Sequence, residues 1–183
     1  MRIQIPVALT LALTRFGVTV NLHGASREAL WKEVDEAMQK GLPQTAIEKL
    51  GPIIEGARQD KAWGEMAKAI GRKLVLEANR QGNKPEEKVR LLEAEIERAP
   101  KELVPLFDTL LAHWYWHYYQ ANRWRFLQRT ATAQPPGKDF TTYDLPRLFA
   151  LIDRQFQKAL AAADTLKKAR VSSFDDLLEK GTF

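Results

Sequence analysis

The stretch Ala112–Thr130 reads AHWYWHYYQANRWRFLQRT. It holds three of the five tryptophans, three of the four tyrosines and two of the three histidines of the chain. The stripe that leads into it, Leu103, Phe107, Leu110, Leu111, Trp114 and Tyr118, keeps helical spacing. Between Leu110 and Tyr119 the pattern is apolar on nearly every side. A helix of that kind is buried among neighbours, and large rings dominate the energetics of a core. The segment is therefore expected to be the organising helix of an all-α domain, with Trp114, Tyr118, Trp124 and Phe126 inside. It lies within Thr109–Lys138, a window that has no acidic residue and carries Arg123, Arg125, Arg129 and Lys138. Arg123, Arg125 and Arg129 are expected to order that core or, with Trp116, to contact a partner.

Working outward, helical periodicity continues in both directions. Ser26 is placed to cap a first helix, with Glu28 in its positive first turn. Leu30, Trp31, Val34, Ala37 and Met38 form its apolar stripe, and Gly41 ends it. Pro43 suits the first turn of a second helix through Ala46, Ile47, Leu50 and Ile54, which Pro52 should kink or shorten. A third helix covers about Lys61 to Asn79, with Trp63, Met66, Ile70, Leu74 and Val75 inward. Gly82-Asn83 breaks the chain, Pro85 opens a fourth helix, and Pro100 stops it. The fifth begins near Lys101 and reaches toward Arg129. After the loop Ala131–Lys138, Asp144 caps a last long helix with Pro146 in its first turn. That helix carries Leu148, Phe149, Ile152, Phe156, Ala159, Ala163 and Leu166 as its apolar set. Ser173 is placed to cap a short final turn, Phe174 to Glu179. About six helices in short-looped hairpins give an irregular antiparallel array of tetratricopeptide-like general shape. Trp31, Val34 and Ala46 loosely echo such a unit, but Asp35 takes its small position and no 34-residue period recurs.

Residues 1–25 read as a signal peptide or degenerate leader, and residues 26–183 as a single α-helical domain. The leader reading rests on Arg2, the short apolar run Ile3–Leu13 and the small residues Gly24-Ala25-Ser26. The run is too short for a membrane span. Gln4, Pro6 and Arg15 interrupt or flank it, and Val18–Leu22 alternates like a strand. A chain of 183 residues can bury roughly 70% of its unfolded surface and needs no covalent staples. The absence of cysteine excludes disulfides, thiolate nucleophiles and cysteine-ligated zinc. The net charge of +5 is local: the leader and the acid-free window carry it, and the remainder is slightly acidic. That distribution argues against a nucleic-acid groove, although Arg123, Trp124, Arg125 and Phe126 mix cations with rings as single-strand sites do.

Candidate chemistry is sparse. His113 and His117 are four apart and share a helical face, a spacing that can ligate zinc, but Trp114 stands where a metalloprotease would place its glutamate. Glu86/Glu87 and Asp175/Asp176 are adjacent acids at helix starts, which the helix dipole explains. No glycine-rich phosphate loop is present, and Ser172 and Ser173 lack the setting of a nucleophile. No cofactor is expected.

Three stretches together resemble the N-terminal helical region of large bacterial alpha-2-macroglobulin-like proteins of the planctomycete and Bacteroidetes type. They are Leu30–Leu50 (LWKEVDEAMQKGLPQTAIEKL), Trp116–Thr132 (WHYYQANRWRFLQRTAT) and Asp139–Phe156 (DFTTYDLPRLFALIDRQF). The resemblance implies export and a place in a protease-trapping machine. It carries over no trapping residue: the bait region and macroglobulin β-domains have no counterpart here, and without cysteine there is no thioester. The leading expectation is a non-enzymatic, periplasmic or secreted helical domain that contacts another protein. One alternative is a cytoplasmic tetratricopeptide-like adaptor that binds a peptide in its concave groove. Another, of a different class, is a metal-dependent hydrolase using His113 and His117.

Overall fold

A computed structural model describes residues 22–82, 84–129 and 137–178. The expected leader, apart from its last residues, and most of the loop Ala131–Lys138 lie outside the described residues. The rest is all-α: α1 (Leu22–Gln39), α2 (Pro43–Gln59), α3 (Trp63–Arg80), α4 (Pro85–Arg98), α5 (Val104–Leu127), α6 (Leu145–Ala161) and the single turn α7 (Ala163–Leu166). Two 3-10 turns, Phe140–Thr142 and Val171–Phe174, complete it, and no strand occurs among the described residues.

Each long helix packs mainly on its neighbours in sequence. Cross-helix pairs fix the directions. Glu33 meets Lys49 while Arg27 meets Asp60, so α1 and α2 are antiparallel. Arg27 meets Glu65 while Asp35 meets Arg72, so α1 and α3 are parallel, as in stacked helical hairpins. Tyr119 meets Phe149 while Asp108 meets Gln155, so α5 and α6 are antiparallel.

The punctuation follows local chemistry. Gly41 takes φ +69°, and the amides of Gly41 and Leu42 bond back to Met38 and Ala37 (3.0 and 2.9 Å), closing α1 as a glycine cap does. Asp144 caps α6 by accepting the Arg147 amide at 3.0 Å. Other ends depart from expectation. The residues just ahead of Ser26 are already helical, so Ser26 lies within α1 instead of capping it. Lys61 sits in the turn before α3, with φ +54°. Pro52 does not shorten α2, because Leu50, Ile53 and Ala57 around it are fully buried and packing outweighs one lost backbone bond. Helix α6 stops at Ala161, and Ala163 and Leu166 belong to the separate turn α7. The final turn forms at Val171–Phe174, so Ser173 lies inside it and caps nothing.

The core has two parts. Val34, Ala46, Leu50, Ile53 and Leu76 join α1, α2 and α3. The larger part surrounds α5: Phe107, Leu111, Trp114, Tyr115, Tyr118 and Phe126 pack against α3, α4, α6 and Phe140. The rings meet edge to face, with Phe140 5.2 Å from Tyr115 and 5.0 Å from Tyr118. The segment after α7 folds back as a strap. Its Leu177 is buried, and the Leu177 carbonyl accepts the indole N–H of Trp114 at 3.1 Å. Gly71 makes room for it: a methyl group there would lie 2.5 Å from Leu177 Cδ1.

Candidate functional site

The tryptophan-rich helix divides its rings between inside and outside. Trp114 is fully buried, and Tyr118 and Phe126 are in the core with it. Trp124, expected in the core, is 70% exposed. The reason is geometric. Trp114, Tyr118, Asn122 and Phe126 follow one another at four-residue steps and form one helical row, from which Trp124 points away. Asn122 leaves helical geometry (φ −118°, ψ 16°) and its side-chain amide bonds to the Tyr118 carbonyl at 2.9 Å, which re-aims the last turn so that Phe126 enters the core.

The three arginines of this helix end have different surroundings. Arg129 donates to the carbonyls of Thr141 and Tyr143 (2.6 and 2.9 Å) and lies 5.0 Å from the Phe126 ring. It clamps the end of α5 to the turn before α6, an ordering role. Arg123 stacks on Trp124 at 5.6 Å, and Arg125 donates to Asn122 at 3.4 Å; both are exposed. Asp139 holds the other side of this region. It accepts from the Thr141 hydroxyl and amide and from Arg90, and these bonds, led by that of Thr141, hold its pKa below the ordinary carboxylate value.

Trp116 is about one-third exposed and belongs to a larger face. Its ring lies 5.5 Å from Tyr119, which lies 4.8 Å from Phe149 on α6. Phe156 and Leu160 continue the line along α6 at helical spacing, and Leu160 is 65% exposed. Phe149 and Phe156 were expected to belong to the buried stripe with Leu148 and Ile152. Instead α6 carries two adjacent stripes. Leu148, Ile152, Gln155 and Ala159 face α5, and Gln155 donates to buried Asp108 at 2.5 Å. Phe149, Phe156 and Leu160 face outward beside them.

His113 and His117 do share a face, with ring centroids 4.3 Å apart. No group of three or more histidine, aspartate or glutamate side chains that could hold a metal ion occurs among the described residues. One partly buried acid, Glu93, does have a perturbed pKa. Glu93 accepts the Tyr115 hydroxyl, and burial raises the pKa of both groups, outweighing the lowering effect of that bond on Glu93. The pair joins α4 to α5.

A second concave feature escaped sequence reading. A cleft of about 620 Å³ lies between α1, α3 and the strap, lined by Trp31, Lys68, Arg72, Lys168, Arg170 and Asp176 among others. Its residues come from three distant stretches, so no local pattern marked it. Among the described residues no helix is long and apolar enough to cross a membrane.

Fold and surface together define an all-α helical-hairpin domain. Comparison of the chain with family models, with curated proteins and with solved structures yields no match.

Proposed function

We propose that the chain is a non-enzymatic, exported association domain, comparable to the N-terminal helical region of alpha-2-macroglobulin-like proteins, and that it meets a protein partner through the α5–α6 face. The observation that carries this reading is the outward row of Trp116, Tyr119, Phe149, Phe156 and Leu160 beside a core that is already filled. Buried anchors at protein interfaces are enriched in such rings. Arg123 and Arg125, exposed next to Trp124, supply a polar rim at the same end of α5. The partner that fits the family resemblance is a macroglobulin-like β-domain.

The test is site-specific photo-crosslinking in cells that make the protein, with p-benzoylphenylalanine at position 116 and, as control, at Glu36 on exposed α1 surface. The expected adduct forms at position 116 and yields peptides of a macroglobulin-like β-domain. No adduct above the control, or equal adducts at both positions, overturns the reading.

A further inference from the structure

The cleft between α1, α3 and the strap lies apart from the α5–α6 face, and its chemistry is different. Its floor is a ring crossed by cations. Lys68 Nζ lies 5.0 Å and the Arg72 guanidinium 5.6 Å from the Trp31 ring. The Trp31 indole N–H is already used, donating to Glu65 at 2.9 Å, and Glu65 is held in turn by Arg27 at 3.0 Å. Glu65 and Asp35 also line the cleft, and each is held by a cation: Glu65 by Arg27, which Asp60 shares, and Asp35 by Arg72. Arg72 has one close partner, Asp35, at 2.9 Å.

The strap shows what these cations accept. Asp176 reaches between Lys68 and Arg72 at 3.7 and 3.5 Å, while its neighbour Leu177 is sunk into the notch at Gly71. A carboxylate carried on a turn of the strap is thus already seated on this face by the chain itself. Asp176 is half exposed and both of its contacts are long, so they leave the Lys68 and Arg72 charges incompletely satisfied. At the other end of the cleft Lys168 and Arg170 are exposed and meet no acid among the described residues. The lining, rich in charged side chains, suits a polar segment and not an apolar ligand.

We infer that this cleft binds an acidic peptide segment of a protein partner, with carboxylates running from Lys68 and Arg72 toward Lys168 and Arg170 and one side chain resting on Trp31. This goes beyond the α5–α6 reading, stands on the cleft's own geometry, and gives the peptide-adaptor alternative its ligand class. Carboxylates on alternate residues of an extended segment share a face and match a row of cations, whereas a basic segment meets like charge.

The experiment is fluorescence anisotropy of the full chain with three labelled dodecapeptides, one glutamate-rich, one lysine-rich and one of glycine and serine, at low salt. The glutamate-rich peptide is expected to bind saturably and the other two not. Lys168→Glu with Arg170→Glu, both at exposed positions, is expected to weaken it by about tenfold or more. Lys40→Glu with Lys138→Glu, an equal change of net charge elsewhere on the surface, is expected to leave it within about twofold. Absence of saturable binding by all three peptides overturns the inference and the adaptor reading with it. Saturable binding of the uncharged or lysine-rich peptide alone overturns the inference and leaves the adaptor reading standing. Equal weakening by both charge pairs shows attraction by net charge only and overturns the inference, as does complete displacement by inorganic phosphate, which would make the cleft a simple oxyanion site.

Discussion

Trp114 and Trp124 stand on one helix within one aromatic stretch, yet the first is fully buried and the second is mostly in water. Only position in the helical row separates them. Two polar groups in or against this stretch have burial that costs stability. The Tyr118 hydroxyl is buried without a hydrogen-bond partner among the described residues. Tyr118→Phe keeps the ring against Phe126 and Phe140 and removes the unpaired group, so it is expected to raise unfolding free energy by about 1 kcal/mol in urea denaturation. A loss of stability would mean that the hydroxyl has a partner. Glu93 is the second case. Burial, the leading cause, raises its pKa, so the folded chain holds this proton more tightly than the unfolded chain. Its contribution is full below the ordinary carboxylate range and is lost as pH climbs through the raised value. Glu93→Gln removes the charge and keeps an acceptor for the Tyr115 hydroxyl. It is expected to be more stable than the parent at pH 7, and the difference is expected to vanish below about pH 4. An advantage that grows on acidification would contradict this account.

The helices were legible because each is bounded by residues with one physical role. Gly41, Pro43, Pro85 and Asp144 act where their backbone chemistry placed them. The stripe from Leu103 to Tyr118 is buried as its spacing predicts. What the sequence hid depends on tertiary contact. Phe149 and Phe156 obey a helical period as well as Leu148 and Ile152 do, and only the position of α5 decides which stripe is covered. Ser26 has the chemistry of a cap, yet helix already precedes it. Trp116 lies partly at the surface, and Arg129 takes the ordering role of the two expected of it, through the carbonyls of Thr141 and Tyr143, partners distant in sequence. The strap was not legible at all: Leu177 reads as one more apolar residue in a polar tail, and its notch at Gly71 is far off in sequence. That pairing makes a double-mutant cycle informative. Leu177→Ala is expected to cost about 2–4 kcal/mol, the range of a buried leucine. Gly71→Ala is expected to destabilise the parent, since its methyl group would meet Leu177 Cδ1 at 2.5 Å and Leu110 Cδ2 at 3.3 Å. In the Leu177→Ala background the main clash is gone, and the same substitution should stabilise by up to about 1 kcal/mol through helix propensity. Equal effects of Gly71→Ala in both backgrounds would place the strap elsewhere.

At the scale of the molecule, α5 is the element that the others surround. α4 and α6 pack on it directly, the strap receives the Trp114 N–H, and the larger core cluster is assembled around its rings. The first hairpin, α1 with α2, reaches that cluster only through α2 and α3. A domain built this way is organised about its aromatic helix and leaves an outer face and a cleft at its surface. Hydrogen exchange along the whole chain tests this arrangement most directly, because protection reports how much structure must open before an amide meets water. The backbone amides of Phe107–Tyr118 are expected to be the slowest in the protein and to exchange only with global unfolding, while those of α1 exchange earlier by local opening. Exchange of the Phe107–Tyr118 amides as fast as, or faster than, those of α1 would contradict a fold organised by the aromatic helix.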